Sequence, residues 1–281
     1  MQQAGQVCII TGAASGIGRA LALELGRRGA TVVASDRDFA GVQTVAGAIN
    51  AAGAGRAEAV ALDVTDAAAV AAVIEHTRAV YGRLDLMFNN AGIAVTGDMR
   101  DLTVEHWRRV IDVNLLGVVY GTAAAFKLMA AQGHGHIVNI ASLAGLTPFP
   151  TNAPYSATKH AVVGLSQSVR AEGEDLGVRV SVVCPGFIES NIYAASEAVN
   201  LPQERLLGNL PFRKVPAAVA ALRILAGVQR NRAVIVFPGY AWLLWWLYRL
   251  LPAVVAPLGR RMIRDLRKLR INAGSNGDPQ P

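Results

Sequence analysis

Residues 155–159 read Tyr-Ser-Ala-Thr-Lys, and Ser142 stands 13 positions upstream, behind the run His136-Ile-Val-Asn-Ile-Ala. A spacing of four on a helix sets Tyr155 and Lys159 one turn apart on one face, where an ammonium beneath the phenol favours its ionised form. A free phenol titrates near pH ~10, so one that trades a proton with an alcohol at neutral pH needs such a cationic neighbour. Ser142, if it ends a strand facing that helix, supplies a hydroxyl to hold the substrate oxygen. Tyr-x-x-x-Lys also decorates ordinary surface helices, so its meaning depends on the elements that position it.

Near the amino end, Val7-Cys-Ile-Ile-Thr is a short β-rich run that breaks into Gly12-Ala-Ala-Ser15-Gly16-Ile17-Gly18 before the helical pattern Ala20, Leu21, Leu23, Leu25. Strand, glycine loop and helix in that order let the backbone turn tightly and approach a pyrophosphate, with the N–H groups of the helix start facing the phosphate. A second strand, Ala30-Thr-Val-Val-Ala-Ser, ends at Asp36, 18 residues beyond Gly18. A carboxylate there can accept hydrogen bonds from an adenosine ribose. The bland alternative is a glycine turn with a helix-capping Asp, and the strand context weighs against it.

Thr11-Gly12-x-x-x-Gly16-x-Gly18, Asn89-Asn90-Ala91-Gly92, Asn114, Ser142, Tyr155-x-x-x-Lys159 and Pro185-Gly186 occur in that order between residues 5 and about 238. Together they resemble the signature of the short-chain dehydrogenase/reductase family. The resemblance implies that Tyr155 is the acid/base, that Lys159 lowers its pKa and binds the nicotinamide ribose, that Ser142 orients the carbonyl, and that Asn114 holds a water in a proton relay. It also implies that Asp63-Val64 holds the adenine ring, that Asn90-Ala91-Gly92 and Pro185-Gly186 border the cofactor, and that Ile188 and Ser190 meet the nicotinamide carboxamide. Ser190 stands where the family usually has Thr and keeps the hydroxyl.

The rest of the chain alternates apolar runs and helical patterns with short connections. Strands are predicted near 7–11, 30–35, 57–62, 84–89, 135–141, 178–184 and 232–237, and the clearest helices over 17–28, 67–81, 103–131 with a break near Asn114, 153–175 and 215–229. Most strands lack strict polar alternation, as expected where helices cover both faces of a parallel sheet. Pro154 suits the first turn of the helix that carries Tyr155. The expected fold class is α/β, a doubly wound parallel seven-stranded sheet of Rossmann type, for which the family implies the order 3-2-1-4-5-6-7. Gly12, Asp36, Asp63, Asn90, Ser142 and Pro185 all fall at carboxyl ends of predicted strands, the edge where such sheets bind ligands. That common edge argues for one shared site.

Of 281 residues, 52% are hydrophobic, ample for a single core. Residues 1–239 are expected to form the catalytic domain, 240–271 an apolar then basic extension, and 272–281 a disordered tail. Cys8 and Cys184 fall in predicted strands and read as buried packing residues in a reducing cytoplasm. No metal-ligand spacing and no secretory signal are apparent, so neither a metal nor secretion is expected.

Charge favours NAD over NADP. Asp36 would face a 2′-phosphate, and two unit charges ~4 Å apart at an effective dielectric of ~20 repel by ~4 kcal/mol. Arg37 works the other way, since it could swing over to pair with that phosphate, while Ser15 stands where many NADP-dependent relatives carry a basic residue. The expected substrate-binding residues are Leu143, Leu146, Phe149, Phe187, Ile192 and Tyr193, mostly apolar, with packing the competing role for many of them. They suggest a lipophilic, secondary alcohol and its ketone.

At the carboxyl end, Trp242, Trp245 and Trp246 stand in an apolar stretch. It is followed by Arg260, Arg261, Arg264, Arg267, Lys268 and Arg270 against Asp265, which is net +5 of the chain's +7. The high isoelectric point is therefore local, and nucleic acid is not expected as a partner. Residues 240–270 read either as a peripheral membrane anchor at the inner face of a membrane or as an arm packed on another subunit. A homodimer or homotetramer through the helices near 103–131 and 153–175 is implied by the family alone. The alternative in a different class is a catalytically silent nucleotide-binding or membrane scaffold. Such a scaffold has no need for Asn114, Ser142, Tyr155 and Lys159 together.

Overall fold

The structure, a computed structural model, describes residues 4–189, 192, 196–202 and 214–268. Its centre is a parallel sheet of seven strands: β1 (Val7–Thr11), β2 (Thr31–Asp36), β3 (Arg56–Ala61), β4 (Leu86–Asn89), β6 (Gly135–Ile140), β7 (Val178–Pro185) and β9 (Val234–Phe237). They lie in the order β3-β2-β1-β4-β6-β7-β9, which is the expected order once two short strands are numbered in. Those two, β5 (Val95–Thr96) and β8 (Glu197–Ala198), pair with each other in parallel outside the main sheet, and nothing in two-residue runs betrays them in the sequence.

Both faces of the sheet are covered. Cys8 and Ile10 of β1 join a core with Leu21, Val42 and Ile224, from the helices α1 (Gly16–Arg27), α2 (Phe39–Ala52) and α7 (Ala217–Gln229). Ile9, between them in sequence, points the other way into a core with Ile74 and Met129, from α3 (Ala67–Tyr81) and α5 (Gly117–Gln132). Strand side chains alternate faces, so burial on both sides explains why these runs are continuously apolar. Cys8 and Cys184 are fully buried within strands, as their positions predicted.

The helix ends follow local chemistry. Asp66 caps α3 through the Ala68 and Ala69 amides, and Gly82 ends it in the left-handed region. The predicted break near Asn114 is a π-helical turn, Asp112–Leu116, between α4 (Val104–Ile111) and α5. Tyr155 and Lys159 sit in the first two turns of α6 (Ala153–Glu172), whose Pro154 occupies the opening turn. This helix stops three residues short of the predicted 175, at Glu172, with Gly173 as its cap.

Beyond β9 the chain continues into α8 (Gly239–Leu250) and α9 (Pro252–Lys268), which meet at a bend of 111°. The stretch Val104–Gln132 is long and apolar enough to cross a membrane, but its inner side packs into the core beside α3 and β6. Ser190, Tyr193, residues 203–213 and the expected disordered tail lie outside the described residues.

Candidate active site

Gly12 directly follows β1, Asp36 ends β2, Asn90 follows β4, Pro185 ends β7, and Asp63 and Ser142 stand two residues past β3 and β6. All six therefore line one edge of the sheet. Thr11 ties the first two parts together, because its hydroxyl accepts from the Asn90 and Ala91 amides at 3.0 and 3.1 Å. Asn90 in return donates its side-chain amide to the Thr11 and Gly12 carbonyls at 2.8 and 3.1 Å. Thr11 opens the family-like glycine motif, which is the signal that marks it, although the expected site residues begin only at Gly12.

The glycines are needed where they stand. Gly12 has φ of 69°, and a Cβ there would come within 2.9 Å of the Ala91 Cα. A Cβ on Gly18 would overlap the Gly12 carbonyl oxygen. Ser15 precedes α1 without capping it through its side chain, so the amide end of that helix is open towards the loop, beside Ile17. Asp36 reaches this loop directly: Oδ2 accepts the Ala14 amide at 3.1 Å and Oδ1 the Asp38 amide at 3.0 Å. Arg37 is exposed beside it, and its charge helps hold the Asp63 carboxyl low, after the larger effect of the Thr65 amide and hydroxyl. Val64 is buried against Gly117.

Asn114 is fully buried in the π-helical turn and clamps the main chain of Ile93 from both sides, accepting its amide at 2.8 Å and donating to its carbonyl at 2.9 Å. A widened helical turn is a common way to aim a side chain at a functional site. Asn114 and Lys159 converge on Gly92: a Cβ there would lie 3.3 Å from Asn114 Oδ1 and 3.6 Å from Lys159 Nζ.

Lys159 is buried, donates from Nζ to the Ile140 carbonyl at 2.8 Å, and lies 5.6 Å from the centre of the Tyr155 ring. Burial holds its pKa down at about 8. The phenol departs from expectation. Burial raises the Tyr155 pKa, and the Ser142 hydroxyl pulls against that rise. The ammonium is aimed at a strand carbonyl, so desolvation outweighs it. Ser142 also accepts the Ala144 amide at 3.1 Å, which fixes its rotamer. The buried Cys184 thiol adjoins both Lys159 and Tyr155, and burial pushes its pKa up to about 12.

On the expected substrate side, Phe149 and Phe187 meet edge to face at 5.8 Å, and Ile192 is half-buried. Leu143 is buried and Leu146 packs against the core around Val162, Val163 and Cys184, so both read as packing residues that support the site from below. Pro185 and Gly186 are followed by Phe187 and Ile188, both buried, and Gly186 lies against the Tyr240 ring, where a Cβ would come 2.5 Å from the hydroxyl oxygen. A cleft of about 710 Å³ runs between α1 and α7, past Gly16, Arg19, Glu24, Glu189 and Lys214.

A parallel sheet in this order, a glycine cradle at β1 and Ser142, Tyr155 and Lys159 gathered at the same edge define a nucleotide-linked oxidoreductase class. The chain belongs to the short chain dehydrogenase family, whose model matches residues 6–200. It is 38% identical over 217 residues to a cyclohexanol dehydrogenase of an Acinetobacter species, covering 77% of this chain and 86% of that one. It is 36% identical over 261 residues to a Mycobacterium tuberculosis protein named "Probable oxidoreductase EphD", a match that takes in 89% of this chain and 44% of that larger protein. Among solved structures, a short chain dehydrogenase/reductase from Burkholderia phymatum in complex with NAD superposes with a TM-score of 0.79 at 28% identity, covering 100% of this chain and 99% of that one.

Proposed function

We propose that the protein interconverts a lipophilic secondary alcohol and its ketone, with NAD as hydride carrier and residues 1–239 as the catalytic domain. The observation that carries this is the placing of Ser142 and of Tyr155, with Lys159 5.6 Å from its ring centre, at the edge that also holds the glycine loop. The loop fits a dinucleotide: Gly12 and Gly18 leave no room for side chains, the amide end of α1 is open, and the Asp36 carboxylate stands at the end of β2. Gly12, Ser15, Gly16, Ile17 and Gly18 would hold the pyrophosphate, Asp36 the adenosine ribose, Asp63 and Val64 the adenine, and Lys159 the nicotinamide ribose. Asn90, Ala91, Gly92, Pro185, Gly186 and Ile188 would border it.

When bound, NAD supplies the acceptor for the hydride of the carbinol carbon. Tyr155 takes the hydroxyl proton as the carbonyl forms and returns it in the reverse direction. Ser142 donates to the same oxygen and fixes its position. Lys159 supplies positive charge beside the phenol, and Asn114 holds Ile93, and with it the loop after β4, in place. Desolvation raises the Tyr155 pKa, so the proton acceptor works best on the alkaline side of neutrality.

The apolar Phe149 and Phe187 pair and Ile192 support a lipophilic substrate, and the likeness to a cyclohexanol dehydrogenase agrees with a ring alcohol. A homodimer or homotetramer in the cytoplasm completes the reading. An absorbance screen of NAD(H) and NADP(H) across lipophilic alcohols and ketones tests it. Turnover of at least one such pair with NAD is expected, and a screen without turnover by either cofactor would count against it.

A further inference from the structure

Along α8 the inward side is fixed by Tyr240, whose hydroxyl accepts the Phe187 amide at 2.8 Å, and by the fully buried Ala241. The other side carries Trp242, Leu243, Trp246 and Leu250, and the stripe runs on through Leu251 and Val254. All six are exposed, from 37% at Trp246 to 67% at Leu250, whereas exposed large apolar side chains elsewhere, such as Phe39, Val80 and Leu176, are scattered. Trp246 stacks obliquely on Trp242 and Trp245 at 5.9 and 5.5 Å, so the patch is a continuous aromatic surface. Beyond the bend, the second half of α9 exposes Arg260, Arg261, Arg264, Arg267 and Lys268, with Lys268 paired to Asp265 at 3.0 Å.

We propose that α8 and α9 together dock on an anionic lipid bilayer. The tryptophans and leucines would enter the boundary between headgroups and acyl chains, and Arg260, Arg261 and Arg264 of α9 would meet the lipid phosphates. Indole is favoured at that boundary, and stable peripheral binding takes apolar insertion and basic charge together. A bend of 111° suits two helices lying in the surface, since a single span through it would be broken. Charge selects the bilayer over a second copy: in a two-fold pairing this patch faces itself, which sets one basic α9 near another, while an anionic surface offers the opposite sign.

The docking surface is joined to the rim of the active site. Arg267 donates to Asp98 at 2.7 Å, and Gly259 lies against Pro150, where a Cβ would come 3.5 Å from the ring. Asp98 stands two residues beyond β5, and Pro150 three residues before α6 with its Tyr155. Gly97 further binds the Thr151 carbonyl at 2.8 Å, so these two rim segments form one wall. Docking would set that wall at the lipid surface, so that a lipophilic alcohol can enter from the bilayer. This last consequence rests on the proposed oxidoreductase activity, and the docking does not.

The test is flotation of the full chain with vesicles of phosphatidylcholine alone or mixed with phosphatidylglycerol, beside turnover of a water-soluble alcohol, melting temperature and solution mass. The variants are Trp242→Ser/Leu243→Ser/Trp246→Ser and Arg260→Glu/Arg261→Glu/Arg264→Glu. The wild type is expected to float with the anionic vesicles and to be released by salt. The charge-reversal variant should partition roughly a hundredfold less, given the worth of each basic residue at such a surface, and the apolar variant should be lost from vesicles as well. Turnover, melting and mass should stay unchanged. Wild-type protein that stays at the bottom with anionic vesicles, or variants that float like it, would overturn the proposal. So would an apolar variant that changes solution mass with flotation intact, which makes the patch a contact between copies. Should the apolar triple variant fail to fold, the salt and lipid dependence of the wild type and the charge variant still decide. Flotation without turnover would reject the oxidoreductase reading and leave docking standing.

Discussion

Asp36 carries two roles that pull on one substitution. Its carboxylate braces the glycine loop through the Ala14 amide and, in the proposed site, selects against a 2′-phosphate. Asp36→Ala should therefore raise the KM for NAD by about tenfold while improving the relative use of NADP. Steady-state kinetics with both cofactors check this, and a wild type that already prefers NADP would show that Arg37 outweighs the carboxylate. Lys159 is costly to the fold. The unfolded chain binds its proton near the ordinary 10.5 and the folded chain only near 8. The folded state thus bears the full cost of the buried ammonium below pH ~8, about 3 kcal/mol, and is relieved of it as pH rises from about 8 to 10.5. Lys159→Met should be more stable than wild type at neutral pH in chemical denaturation by up to that amount, with the gap closing in alkali. An unchanged or lowered stability at pH 7 would mean that the Ile140 carbonyl bond offsets the burial.

At the scale of elements, the glycine loop is the tightest joint. Gly18→Ala would push a methyl into the Gly12 carbonyl, and the neighbour is backbone that cannot swing aside. A loss of about 1–3 kcal/mol and weakened cofactor binding are expected, readable by denaturation and by titration with NADH. Full binding with wild-type stability would show that the loop can relax. Such joints were legible in advance because Gly, strand-ending Asp, Ser and Tyr-x-x-x-Lys follow one another in order at the ends of predicted strands, although each spacing alone is common. The π-helical turn was visible as a break near Asn114, since a buried Asn interrupts the apolar pattern there. What stayed hidden depends on partners far away in sequence. Thr11 binds residues about 80 positions on, and Asp98 is paired with Arg267 across 169. The direction of Lys159, towards Ile140 and not the phenol oxygen, is likewise a packing outcome that helical spacing cannot specify.

For the molecule as a whole, acid stability has a visible weak point. His136 is buried at the start of β6, bonded at 2.8 Å to Ser181, and burial holds its pKa down to about 3 from an ordinary 6.5. The unfolded chain gains a proton there that the folded chain refuses, so stability falls as pH drops from 6.5 to 3, by up to about 5 kcal/mol. His136→Leu should flatten that decline, because the Ser181 hydroxyl keeps its own acceptor in the Arg232 carbonyl. Denaturation midpoints measured across that pH range check it, and an equally steep decline in the variant would place the acid lability elsewhere. The central claim is that one edge of one sheet brings a hydride carrier and a proton carrier to the same alcohol. It is tested most directly by turning over the best alcohol from the screen with NAD, using wild type and Tyr155→Phe side by side, with NADH binding measured in both. The account predicts that turnover falls by ~10² or more while NADH binding is retained. Wild-type turnover in the Phe variant would contradict it.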